Sequence, residues 1–181
     1  VPLSDGDVAR FAATGTGVAH CPSSNARLGA GIAPVRALLR AGAPVGLGVD
    51  GAASNESGQL GVEVRAAVLA ARLRDGADAL SVRDALRMAT MGGARVLGRE
   101  AEIGSLEPGK LADVALWRID GVEHAGIADP VAALGLGSQP PLARLIVNGE
   151  TVVRDGALVS ADEGDVAARV ARASAALAAR L

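Results

Sequence analysis

Two short apolar runs, Val18-Ala19-His20-Cys21 and Pro44 to Val49, each stop at a cluster of polar residues, and one helix-length stretch lies between them. The second run is unbroken in its apolarity, as a parallel strand buried on both faces must be. Strand, loop, helix and strand at this spacing make one βαβ unit. That pattern commits the chain to the α/β class. It also sets Pro22-Ser23-Ser24-Asn25 and Asp50 at the carboxyl ends of neighbouring strands.

The flanking segments fit the same plan. Ser4 and Asp5 precede Val8, Ala9, Phe11 and Ala12 at helical spacing, so Leu3 to Ala13 reads as a capped helix. Ser23 to Gly31 reads as a loop. Val35, Leu38 and Leu39 form the apolar stripe of the crossover helix. Leu60 to Leu73 suits a long helix whose charges Glu63, Arg65, Arg72 and Arg74 read as a solvated face. Ser81 is the expected N-cap of a further helix that Gly92-Gly93 ends, with a short turn on to Leu97.

Beyond Gly98 the texture changes. Ile103 to Gly109 is turn-rich, Ala112 to Trp117 is apolar, and Leu145 to Val153 is a strand pair around an Asn-Gly turn. Asp165 to Leu181 reads as a helix with Val166, Val170 and Leu177 on one side. The division expected is 1–98 as the α/β portion, 99–160 as a small β portion and 161–181 as a C-terminal helix.

Composition narrows the function classes. The net charge of −2 offers no basic patch for nucleic acid and no cationic face for a membrane. One Phe, one Trp and no Tyr leave too few rings for a base-stacking platform. The single cysteine, Cys21, excludes an internal disulfide and a multi-cysteine zinc site and points to a reducing compartment, the cytoplasm. No apolar run spans a bilayer. The opening Val1-Pro2-Leu3 without Met is read as a processed chain or a piece of something larger.

Asp50 leads the candidate chemistry. A carboxylate closing a buried strand loses several kcal/mol of solvation unless it is paired or bound to a cation. A metal or a strong hydrogen-bond network is one reading, and a cap for the following segment is the other. Ser54 and Asn55 are the better capping candidates, which leaves Asp50 free for chemistry. His20 reads as a metal ligand, a donor to substrate or a satisfied core residue. The adjoining Ser23, Ser24 and Asn25 favour a functional use. His124 reads as solvated surface in a Gly-rich loop. Cys21 reads as a small buried hydrophobe rather than a nucleophile, since Pro22 removes the amide an oxyanion would need. Gly46-Leu47-Gly48 lies within a strand, with neither the third glycine nor the helix start of a dinucleotide fingerprint.

Five segments carry a resemblance in chain order: the His20-Cys21-Pro22-Ser23-Ser24-Asn25 segment, Gly48 to Asn55, Ala89 to Arg95, Ile103 to Asp113 and Ile146 to Gly149. Together they resemble the amidohydrolase superfamily, in its metal-dependent aminohydrolase branch. Val49 to Glu56 and Asp129 to Leu134 are most similar to bacterial 8-oxoguanine deaminases. The resemblance implies the C-terminal part of a (β/α)8 TIM-type barrel, followed by strands of a small β-sandwich and a C-terminal helix. It implies hydrolytic deamination of a purine-type substrate such as 8-oxoguanine or guanine. Triazines or S-adenosylhomocysteine are the alternative substrates. It makes Asp50 both the metal-binding and the catalytic, proton-shuttling residue. It sets His20, Ser24 and Asn25 along the substrate pocket, with one divalent metal, zinc or iron. The histidines of the earlier barrel strands have no counterpart in this chain. The chain alone is therefore expected to be inactive and only marginally folded without a partnering N-terminal barrel half, the complete enzyme being a homo-oligomer. A non-catalytic structural subunit is the competing reading.

Overall fold

A computed structural model describes residues 2–180. The chain divides into two compact units, Val1–Lys110 with Ile119–Pro140, and Leu111–Arg118 with Pro141–Leu181.

In the first unit, helix α1 (Asp5–Thr14) starts at a reciprocal cap. Ser4 Oγ accepts the Asp7 N–H at 3.2 Å, and the Asp7 carboxylate accepts the Ser4 N–H at 2.9 Å. Gly15 ends the helix in the left-handed region that a residue without Cβ enters freely. Strands β1 (Val18–His20) and β2 (Val45–Leu47) then pair in parallel, Val18 opposite Val45 and His20 opposite Leu47. The crossover carries helix α2 (Pro22–Arg27) and helix α3 (Val35–Ala41). The expected βαβ unit is present, but part of the segment read as a loop is helical. Pro22 sits at the first turn of α2, where its missing N–H costs nothing.

Helix α4 (Leu60–Asp75) follows the β2 loop and packs on α2 and α3. Leu38 and Val35 of α3, Val64, Ala67 and Val68 of α4, and Val45 and Leu47 of β2 build the core. Helix α5 (Val82–Arg87) is capped by Ser81, whose Oγ accepts the Asp84 N–H. Gly92-Gly93 does not end this helix, contrary to expectation. The chain continues through a π-helical turn, Met88–Gly92, into α6 (Gly93–Val96). Gly92 serves close approach instead, and so does Gly46 across from Gly93. A Cβ on Gly92 would lie 2.2 Å from the Val45 carbonyl oxygen, and one on Gly46 would lie 2.8 Å from Gly93 Cα. Helix α7 (Pro130–Leu136), capped by Asp129, packs on α4 and α5.

His124 corrects the sequence reading. It is 3 % exposed, and its Nε2 lies 2.9 Å from the Ser138 carbonyl. A one-turn 3-10 helix, Val122–His124, turns the ring inward. Sequence reasoning missed this because Gly121 and Gly126 on either side mimic a surface loop.

The second unit is a four-stranded antiparallel sheet in the order β3 (Val114–Trp117), β4 (Leu142–Val147), β5 (Glu150–Arg154), β6 (Ala157–Leu158). Asn148 and Gly149 both have positive φ, 49° and 84°, the twist-matched turn that joins β4 to β5. Asp155 and Gly156 repeat the device between β5 and β6. Helix α8 (Glu163–Ala178) leaves Val166, Val170 and Leu177 exposed. Among the described residues, no helix is long and apolar enough to cross a membrane.

Candidate functional site at the ends of the parallel strands

Parallel pairing carries β1 and β2 to the same end, where the chain turns into α2 and into the 50s loop. Asp50 is exposed there and takes φ 65°, a left-handed conformation that its short polar side chain tolerates. It is not the desolvated carboxylate expected from sequence. Ser24 Oγ donates to Asp50 Oδ2 at 2.7 Å, and the Gly51 N–H donates to Oδ1 at 2.8 Å. Ser24 Oγ also lies 2.8 Å from Ser54 Oγ. Ser24 has a single proton and an ionised Asp50 only accepts, so Ser54 supplies the hydrogen of that second bond. These donors, Ser24 first and then Gly51, hold the Asp50 carboxyl below the usual carboxylate range.

The four residues singled out from sequence fall into two groups. Ser24, 1 % exposed, joins Asp50. His20 and Asn25 instead line a separate cavity of about 290 Å³, with Pro22, Ile32 and Ala70 among its walls. His20 lies two residues from Val18 and opposite Leu47, so it shares the strand face that packs into the core. It is 3 % exposed and its Nδ1 has no partner. Burial pushes its pKa down to about 4, so the ring is neutral at physiological pH.

One residue of this site went unrecognised in the sequence. Glu63, read as part of a solvated face, is fully buried. Its Oε2 accepts the Ser23 N–H at 3.0 Å and its Oε1 accepts Asn55 Nδ2 at 2.8 Å. Asn55 Nδ2 also donates to the Val49 carbonyl, so Asn55 braces the loop rather than capping α4, whose N-cap is Gln59. The available signal was spacing. Glu63 lies one and four residues before Val64 and Ala67, on the stripe that α4 buries.

Cys21 is half-buried, and burial raises its thiol pKa, which agrees with the reading that it is no nucleophile. Among the described residues there is no group of three or more His, Cys, Asp or Glu side chains that could hold a metal ion. Asp50 offers carboxylate oxygen at a strand end, but a catalytic zinc takes three protein ligands. The residues of this chain therefore fit one corner of a metal site and not the whole of it.

A strand-end carboxylate set by hydroxyl and amide donors, on a parallel pair wrapped by helices, is the layout of a (β/α)-barrel active site. The amidohydrolase family model matches residues 1–156. The chain belongs to the amidohydrolase family. It is 45 % identical over 171 residues to an 8-oxoguanine deaminase of Pseudomonas aeruginosa, covering 94 % of this chain and 38 % of that protein. It is 43 % identical over 171 residues to a 5-methylthioadenosine/S-adenosylhomocysteine deaminase of Desulforudis audaxviator, covering 92 % of this chain and 39 % of the relative. Its fold matches the crystal structure of an atrazine chlorohydrolase from Arthrobacter aurescens complexed with zinc. There the TM-score is 0.89 at 38 % identity, over 95 % of this chain and 39 % of the other. The chain thus spans about two fifths of the length of the relatives it matches.

Proposed function

We propose that this chain is the C-terminal portion of a metal-dependent aminohydrolase acting on a purine-type amidine, with 8-oxoguanine the first substrate to test. One observation carries the reading. Asp50, at the end of β2, is held ionised by Ser24 and Gly51 in a chain 45 % identical to an 8-oxoguanine deaminase. In hydrolytic deamination, water adds to the amidine carbon and ammonia leaves, so one proton must pass from the water to the departing nitrogen. Asp50 accepts and returns that proton, and the Ser24 hydroxyl and Gly51 amide orient its carboxylate for the transfer. Asp50 also contributes one oxygen to a divalent metal whose other ligands lie outside this chain. When bound, that metal supplies a water acidified toward neutrality. The zinc in the atrazine chlorohydrolase structure supports a divalent metal here, with zinc the first to test.

Residues 1–98 form the barrel portion in this reading, 99–160 the small β portion and 161–181 the terminal helix. His20 and Asn25 border the substrate side from their own cavity. The free cysteine supports a cytoplasmic setting, and the complete enzyme is a homo-oligomer. Asp50→Asn in the complete polypeptide keeps the shape and removes the base. Turnover of 8-oxoguanine should then fall about a hundredfold or more, with the circular dichroism unchanged. Undiminished turnover overturns the assignment. Turnover of a chlorotriazine in place of a purine moves the substrate to the triazine class.

A further inference from the structure

The buried carboxylate of Glu63 takes no part in the chemistry outlined above, yet each of its oxygens is committed to a different strand-end segment. Oε2 accepts the backbone N–H of Ser23, the neighbour of Ser24. Oε1 accepts the side-chain amide of Asn55, the neighbour of Ser54. Ser24 and Ser54 are the two hydroxyls of the Asp50 cluster. We propose that Glu63 is the positioning residue of this site, a clamp that fixes the start of α2 against the 50s loop so that Ser24 and Ser54 stay on Asp50.

Three observations favour a clamp over simple core filling. A fully buried carboxylate is costly unless each oxygen is bonded, and here both are. The two bonds span 40 and 8 residues, so they join separate segments rather than one helix turn. Asn55 shares its amide between Glu63 and the Val49 carbonyl, which ties the last residue before Asp50 into the same network. The exposed pair Arg27–Glu56 at 2.7 Å also joins these segments, and it contributes little in water.

The inference rests on Asp50 acting as proposed, and Glu63→Gln tests it in the complete polypeptide. The amide keeps the volume but opposes a donor to either Ser23 N–H or Asn55 Nδ2. Turnover should fall about 10- to 100-fold with KM little changed, as when a residue orienting a metal ligand is lost. Glu63→Asp, which keeps two acceptors, should restore part of the loss. If Glu63→Gln does not fold, Asn55→Ala severs the same clamp from its other arm and is read the same way. A variant that loses thermal stability while kcat and KM stay in place overturns the clamp. Failure of the reading beneath it is separate, since Asp50→Asn would then keep its turnover.

Discussion

At Asp50 a single carboxylate is controlled by neighbours 26 and 4 residues away, Ser24 and Ser54, and by the amide of Gly51. Its pKa lies below the unfolded value, so the hydrogen bonds to it stabilise the fold above that unfolded value. They are lost as pH falls through the folded pKa. His20 gives the larger effect on stability. Its folded pKa, about 4 against an ordinary 6.5, means that the unfolded chain takes up the proton first. Stability should be at full strength above pH 6.5 and decline by ~3 kcal/mol as pH falls from there to about 4. Urea denaturation across that window measures it, and His20→Leu should flatten the slope. A slope unchanged by the substitution would remove burial of His20 as its cause. Histidine was legible as noteworthy in the sequence, but which strand face it took was not. That choice follows from the register of β1 on β2, which only pairing supplies.

The β1–α3–β2 unit is the element most plainly written in the sequence, because an unbroken apolar strand and a striped helix have different periods. The glycines of the α5–α6 segment were harder. Gly92 has ordinary helical φ and ψ, so nothing in its own backbone requires glycine. The requirement comes from the Val45 carbonyl pressed against it. Gly92→Ala should therefore destabilise the protein by roughly 1–3 kcal/mol through overpacking, although alanine favours a helix by about 1 kcal/mol in solvent. Thermal melting decides the sign, and a gain in stability would show that the helix can move off β2 at no cost. The two tight turns of the sheet, Asn148-Gly149 and Asp155-Gly156, work locally instead, since the pair of residues supplies the positive φ values itself. The first was anticipated from its dipeptide alone.

At the scale of the molecule, two parallel strands carry the site, and within the described residues each pairs only with the other. The outer edges of β1 and β2 thus offer unpaired N–H and C=O groups, which favour association. The isolated chain should self-associate in sedimentation and show no deaminase turnover with added zinc, because Asp50 alone does not complete a metal site. A monomeric chain that turns over 8-oxoguanine would refute this. The core itself is well formed, and Leu38→Ala, at a fully buried position, should cost about 2–5 kcal/mol. By itself the sequence determined the α/β class, the βαβ unit, the hairpin and the helix caps at Ser4 and Ser81. All of these depend on periodicity or on residues within a few positions of one another. Tertiary structure decided the burial of Glu63 and His124, the inward face of His20 and the glycine contact under β2. Each of those depends on groups distant along the chain, whose desolvation and hydrogen bonding exist only once the segments are packed together.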